Sequence, residues 1–206
     1  MDTGDGTRPG LRERKKQETR IALSWAAIRL TVERGLDNVR VEDIAAEVGV
    51  STRTFSNYFT TKAEAIAARQ VDRARAMVAA LRGRPADEPI WTAITTSVLD
   101  QFALGEDTGQ APDGWVEGVR LMVGHPALQG EFLKANAAVE AEFARVVAER
   151  TGTDAGKDLY PRLVAGAVGA AMNAAIQQWM ATDPPVPMGS ILREAFDRLA
   201  AGLPAH

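Results

Sequence analysis

The sequence predicts an all-α chain of about nine helices, and three observations carry that prediction. Apolar residues recur at intervals of three and four through most of the 206 residues. No stretch alternates apolar and polar residues over the length of a strand, and no hairpin signal separates two such stretches. Glycine and proline fall between the periodic segments, as punctuation.

Taken in order, residues 1–10 (MDTGDGTRPG) are polar and glycine-rich and are expected to be disordered. Lys16 to Arg34 form a helix whose buried face is marked by Leu23, Ala27 and Leu30, and which Gly35 stops. Leu36 to Asn38 turn the chain. Val41 to Val48 form a short helix, Gly49 and Val50 turn again, and Thr52 to Phe59 form a second short helix. Lys62 to Leu81 make a long helix rich in Ala and Arg, broken by RGRPADEP at 82–89. Ile90 to Leu104 are helical, with Trp91, Ile94, Val98 and Phe102 on one side. Residues 105–114 form a polar loop. Trp115 to Val123 form a short helix that Gly124, His125 and Pro126 end. Ala127 to Arg150 and Leu159 to Met180 are long helices. Thr182 to Pro187 turn the chain, and Ile191 to Leu199 begin a last helix that ends near Gly202.

Composition narrows the function classes. Cysteine is absent, which excludes disulfides, thiolate chemistry and cysteine-ligated zinc and fits a reducing compartment. No apolar run of about 18 residues offers a membrane span, and the N-terminus lacks the apolar stretch of a signal peptide, so a cytoplasmic location is expected. Net charge is −3, unevenly spread: residues 1–62 carry 11 Lys and Arg against 9 Asp and Glu, residues 63–206 carry 13 against 18. Phosphate attraction is local, because salt screens charges beyond about 10 Å. The length allows one large or two small domains, and the reading divides it at 1–62 and 63–206.

Residues 41–59, VEDIAAEVGVSTRTFSNYF, concentrate the functional signal. A helix-turn-helix locks two short helices at a steep angle around one shared core, and this dictates residue types at fixed offsets. Ile44 and Val48 face inward, and Ala45 is small where the second helix crosses. Gly49 opens a turn that favours positive φ, and Val50 plugs it. Ser51 caps the second helix, and Phe55 with Tyr58 or Phe59 closes the core. An ordinary helical hairpin is the alternative, but it does not require all these offsets together. The second helix then exposes Thr52, Arg53, Thr54, Ser56 and Asn57. Arg53 suits guanine and Asn57 suits adenine. Lys62 suits a phosphate. The alternative for each is simple solvation. Arg12, Arg14, Lys15 and Lys16 form a basic arm that either follows DNA or is solvated.

Residues 16–66 resemble the N-terminal domain of the tetracycline-repressor (TetR) family, through LTVERGL, VRVEDIAAEVGVS and RTFSNYFTTKAEAI. The resemblance implies a three-helix DNA-binding domain ahead of a variable helical one. It also implies a homodimer on palindromic operator DNA, and release when a ligand binds. By matching position it implies contacts from Thr52, Arg53, Thr54, Ser56, Asn57, Tyr58 and Lys62. The chain departs from the family at Arg40, where a Ser or Thr cap is usual and where arginine suits a phosphate instead. It departs again at Thr31, where an aromatic is usual, which leaves the head's core slightly smaller unless Trp25 or another side chain fills it.

The remainder reads as a ligand-binding and dimerisation domain. Small residues on several faces of Arg162–Met180 allow close helix approach, which fits the centre of a dimeric four-helix bundle with Ile191–Leu199 as partner. A helix buried within one chain is the alternative. Trp91, Ile94, Val98, Phe102, Trp115, Val119, Met122 and Phe132 are candidates to line an apolar pocket, or are plain core. Asn136, Asn173 and Gln177 would hold a ligand's polar end, and Arg120 a carboxylate or phosphate. HPALQGEFLKANAAVEAEFARVVAERTG with DLYPRLVAGAVGAAMNAAIQQWM is similar to the C-terminal domain of a mycofactocin-regulator-like branch, which implies an acyl-coenzyme A or other apolar ligand. No cofactor is expected. An enzyme is disfavoured: the histidines are His125 and His206 alone, and no phosphate loop, metal-spaced cluster or paired nucleophile stands out. A helical ligand-binding protein without DNA binding is the other alternative, and the polar residues at 52–57 argue against it.

Overall fold

The computed structural model describes residues 10–106, 124–182 and 186–203. The expected helix at 115–123 lies outside them, as do Trp115, Val119, Arg120 and Met122, most of the 105–114 loop and the first nine residues. Among the described residues the fold is all-α, with eight α-helices: α1 (Leu11–Arg34), α2 (Val41–Val48), α3 (Thr52–Ser56), α4 (Lys62–Gly83), α5 (Ile90–Glu106), α6 (Pro126–Thr151), α7 (Leu159–Ala181) and α8 (Met188–Ala200). A single 3-10 turn, Leu36–Asn38, links α1 to α2.

Two boundaries differ from the sequence reading for physical reasons. Helix α1 begins at Leu11, not Lys16, so Arg12, Arg14, Lys15 and Lys16 are exposed helical residues rather than an arm. Apart from the exposed Leu11 that first stretch is polar and has no buried face to announce it. Helix α3 ends at Ser56, not Phe59. The Asn57 and Tyr58 amides donate three residues back, to Thr54 O and Phe55 O, and this tightening ends the helix. At the other termini, α5 runs to Glu106 and α8 starts at Met188, a few residues beyond expectation.

The chain forms two compact units. Among the described residues, unit 1 holds 10–69 and 124–131, and unit 2 holds 70–106, 132–182 and 186–203. The boundary between the two units falls at 69, inside α4. The first turns of α4 belong to the head's core: Ala65, Ile66, Ala67 and Ala68 are buried, and the buried Ser24 hydroxyl of α1 donates to Ala65 O at 2.6 Å. In unit 1, α1 packs on α2 and α2 on α3, around Leu23, Ala27, Leu30, Leu36, Val39, Ile44, Phe55 and Phe59. Thr31 is buried, with its hydroxyl donating to Ala27 O at 2.6 Å. Trp25 is half-buried under the Arg69 guanidinium, 5.2 Å from its ring centre.

Unit 2 is built on α8, which packs against both α7 and α5. One core joins Met77, Val78 and Leu81 of α4, Ile94 and Val98 of α5, Val146 and Val147 of α6, Val164 and Val168 of α7, and Leu192 and Phe196 of α8. The link between α4 and α5 is clamped from α6. The Arg150 guanidinium donates to the carbonyls of Arg84 (2.9 Å) and Pro85 (2.7 Å), and over longer reach to Leu81 (3.4 Å) and Glu88 (3.3 Å). Arg84 also pairs with the Glu88 carboxylate through two donors. That guanidinium holds the Glu88 carboxyl below its ordinary value of 4.5.

Helix α7 has two unlike faces. Pro161, Val164, Ala165, Val168, Ala171, Ala175 and Trp179 are buried. Leu159 and Leu163 are 67% and 58% exposed, and among the described residues Tyr160, Ala170, Asn173, Ala174 and Gln177 are exposed with them on the opposite face. The Arg162 side chain secures the start of α7 by donating to Ala155 O (2.9 Å) and Gly156 O (3.0 Å).

Candidate nucleic-acid interface and ligand region

The helix-turn-helix is assembled from the packing that its residue types require. Arginine at the α2 N-cap cannot accept a hydrogen bond, so half of a capping box forms without it: the Arg40 amide donates to Asp43 Oδ2 at 2.8 Å. The Arg40 side chain remains exposed. Ile44 and Ala45 bury against α1 and α3, while Val48 is half-buried. An ion pair from Arg29 to Glu47 ties α1 to α2, and Arg29 reaches Glu33 as well. Gly49 takes φ 73° and ψ 30°, the left-handed region where a Cβ is strained. Ser51 then caps α3, its Oγ accepting from the Thr54 amide at 3.1 Å.

Beneath α3, Phe55 and Phe59 are both buried, with ring centres 5.7 Å apart. Of the two aromatics proposed to close the core, Phe59 does so and Tyr58 stays half-buried. The Arg20 guanidinium covers the outer side of Phe59 at 5.3 Å. On the outer face, Thr52, Arg53, Ser56 and Asn57 are exposed and Thr54 is half-buried. Two of these hydroxyls serve the helix itself. Thr54 Oγ1 lies 2.9 Å from Ser51 Oγ, and Ser56 Oγ donates to Thr52 O at 3.1 Å. Arg53 and Asn57, one turn apart, remain the long polar groups presented outward.

Lys62 is placed differently from its neighbours in the expected contact set. Its side chain is part-buried, and its Nζ donates to Leu36 O (2.5 Å) and Val39 O (2.8 Å) of the α1–α2 link. Thr61 and Glu64 fix the same helix start: Thr61 Oγ1 accepts from the Glu64 amide at 3.0 Å, and Glu64 Oε2 accepts from the Thr60 amide at 2.7 Å. Sequence reasoning had no means of finding these lysine bonds, because backbone carbonyls leave no mark in a sequence.

In unit 2 the ligand candidates separate. Ile94 and Val98 are fully buried, and Trp91 and Phe102 lie half-buried against the same core. Arg73 of α4 places its guanidinium 4.9 Å above the Phe102 ring, a contact the sequence reading missed. Phe132 is half-buried on α6. Asn136, Asn173 and Gln177 are exposed, the last two on the open face of α7, so they do not join the apolar cluster.

Comparison with known proteins agrees with this architecture. Residues 25–68 match the bacterial regulatory proteins of the tetR family, and residues 88–204 match the MftR C-terminal domain. The HTH-type transcriptional regulator TcmR of Streptomyces glaucescens is 32% identical over 180 residues, covering 83% of this chain and 77% of its own. A TetR-family regulator structure from Syntrophomonas wolfei str. Goettingen aligns with TM-score 0.62 at 19% identity, covering 92% of this chain and 98% of that one. The Thermus thermophilus repressor FadR, solved with lauroyl-CoA, aligns with TM-score 0.55 at 18% identity, covering 91% and 96%. With a matched C-terminal domain spanning more than half of its length and a relative 32% identical over most of it, the chain belongs to the tetR family as a DNA-binding transcriptional regulator.

Proposed function

We propose that this regulator is a homodimeric, cytoplasmic repressor that reads a palindromic operator through α3 and releases it when an apolar, acyl-type ligand enters unit 2. The observation that carries the reading is the outward presentation of Thr52, Arg53 and Asn57 from a helix whose inner residues, Phe55 and Phe59, are locked in the head's core. Arg53 makes the bidentate contact to guanine and Asn57 the contact to adenine. Thr52, Thr54, Ser56 and Tyr58 complete the surface against bases and phosphates, with Arg40 at the phosphate beside the α2 start. Two-fold operators need two heads, and the uncovered face of α7, with Leu159, Leu163, Ala170 and Ala174, supports self-association there. The action is binding, with no catalytic step assigned.

The acyl-type ligand is supported by the lauroyl-CoA bound to the Thermus thermophilus neighbour and by the clustering of Trp91, Ile94, Val98 and Phe102. Coenzyme A thioesters are the first class to test. Selection of bound duplexes from a random library by the full chain should yield a palindrome. Arg53→Ala should then lose about 1–3 kcal/mol of specific binding per head while the protein stays folded. Unchanged affinity in a gel shift would remove Arg53 from the reading surface. Acyl-CoA thioesters of graded length should raise the melting temperature and dissociate the complex. No shift at any length would exclude that ligand class.

A further inference from the structure

We infer that the first turns of α1 form a phosphate rail: Arg12 and Lys16 bind the DNA backbone beside the segment that α3 reads, without regard to base sequence. This rests on the reading of α3 as the DNA-reading helix and adds a second, electrostatic surface to it. The basis is one stripe of α1. Positions 12, 16, 20, 23, 27 and 30 follow at intervals of four and three, so they share one side of the helix. Leu23, Ala27 and Leu30 on that side are buried in the head. Where α1 runs out beyond the core, the same side changes from apolar to basic, and Arg12 and Lys16 are exposed there. Arg20 stands at the change. Its guanidinium lies 5.3 Å from the ring centre of Phe59, so the basic part of the stripe leaves the core next to the chain that has just left α3.

Folding of α1 does not call for these cations. The N-terminal end of a helix carries a partial positive charge, which disfavours Lys and Arg in the first turns. Glu13 pairs with Lys16, but at 3.9 Å, with both side chains more than half exposed, the pair is weak and readily exchanged for a phosphate. Arg14 and Glu18 lie about 200° around the helix from Arg12 and Lys16 respectively, turned away from the stripe. At about 1.5 Å per residue, Arg12 and Arg20 are about 12 Å apart along the axis. Phosphates recur about every 3.4 Å along each strand of a duplex, so the stripe passes several of them. Positions 12, 16 and 20 carry no apolar side chain to enter a lipid interior, which favours the DNA backbone over a membrane surface.

The test uses the full chain and two duplexes: one selected by the wild type from a random library, and a scrambled one of equal length. Glutamine is nearly as good a helix former as arginine and lysine. Arg12→Gln/Lys16→Gln should lower the slope of log K against log salt by about 1.8 per head on both duplexes, and weaken both by the same factor. Arg14→Gln removes one charge from the opposite side and should change the slope by less than about 0.3. A slope unchanged in the glutamine pair overturns the proposal, and binding to anionic phospholipid vesicles lost in that variant would then move the stripe to a lipid surface. A loss of about 0.9 per head in Arg14→Gln, equal to that in Arg12→Gln alone, would mean diffuse charge and no rail. A slope loss that comes with lost helical circular dichroism would make the pair a fold element and overturn it too. If the wild type selects no duplex, the α3 reading fails by itself: the rail stands if the scrambled duplex still shows the slope loss and falls if it does not.

Discussion

Replacing Arg150 by alanine should loosen the α4–α5 link more than any other single polar substitution in unit 2. The magnitude follows from the bonds. Two of the four, to Arg84 O at 2.9 Å and Pro85 O at 2.7 Å, have good length, and those to Leu81 O and Glu88 O, at 3.4 and 3.3 Å, are marginal. A hydrogen bond from a charged donor contributes about 1.5–3 kcal/mol, so the two short bonds alone support a loss of about 3 kcal/mol. A loss of that size is about a hundredfold in the local opening equilibrium. Arg150→Lys keeps the charge but reaches fewer carbonyls and should recover less than half of it. Hydrogen exchange gives the local answer. The Arg84, Glu88 and Ala93 amides, bonded to Leu81 O, Pro85 O and Pro89 O, should exchange about a hundredfold faster in Arg150→Ala, while amides of unit 1 keep their protection. Exchange at these three amides within about threefold of wild type would show that the clamp is decorative and refute the reasoning.

Three further outcomes are expected. Ser51→Ala should cost about 1 kcal/mol and lower specific DNA affinity about fivefold, and Ser51→Asn should restore both, because asparagine also caps; gel shift with thermal melting checks this, and an alanine variant that binds normally would count against it. Because the Arg84 guanidinium depresses the Glu88 carboxyl, the stabilisation from that pair is present above about pH 4.5 and is lost as the pH falls through the lowered value. The melting-temperature gap between wild type and Glu88→Gln should therefore shrink in acid, and a gap constant from neutral pH to about pH 3 would contradict it. Leu163→Glu, on the open face of α7, should yield monomers by sedimentation, since each buried leucine of a symmetric interface contributes about 2 kcal/mol and appears twice. A dimer of unchanged strength would place the interface elsewhere.

The head was legible because its geometry allows few residue types at each offset. Ile44, Ala45, Gly49, Ser51 and Phe55 all occupy in the structure the roles their spacing implies. What stayed hidden depends on the backbone of distant segments. The partners of Lys62 lie 26 and 23 residues away, those of Arg150 up to 69, and any residue could have supplied those carbonyls. The end of α3 was unreadable because it depends on the Asn57 and Tyr58 amides choosing partners three residues back. The small residues of α7 carried an ambiguity of another kind. Alanine and glycine signal close approach without saying whether the neighbour belongs to the same chain, so the uncovered face at Leu163 and Ala170 needed coordinates.

The single turn of α3 divides its labour between residues that never exchange roles. Phe55, with Phe59 just beyond, belongs to the core, while Thr52, Arg53 and Asn57 contribute almost nothing to it. Under the proposed reading of α3, substitution at the outer three positions should be close to neutral for folding and should change which base pairs are bound. Drift there would then retarget the regulator to a new promoter without passing through an unstable intermediate. A library randomised at 52, 53 and 57 should be rich in folded proteins of altered sequence preference, whereas one randomised at 44, 55 and 59 should be mostly waste.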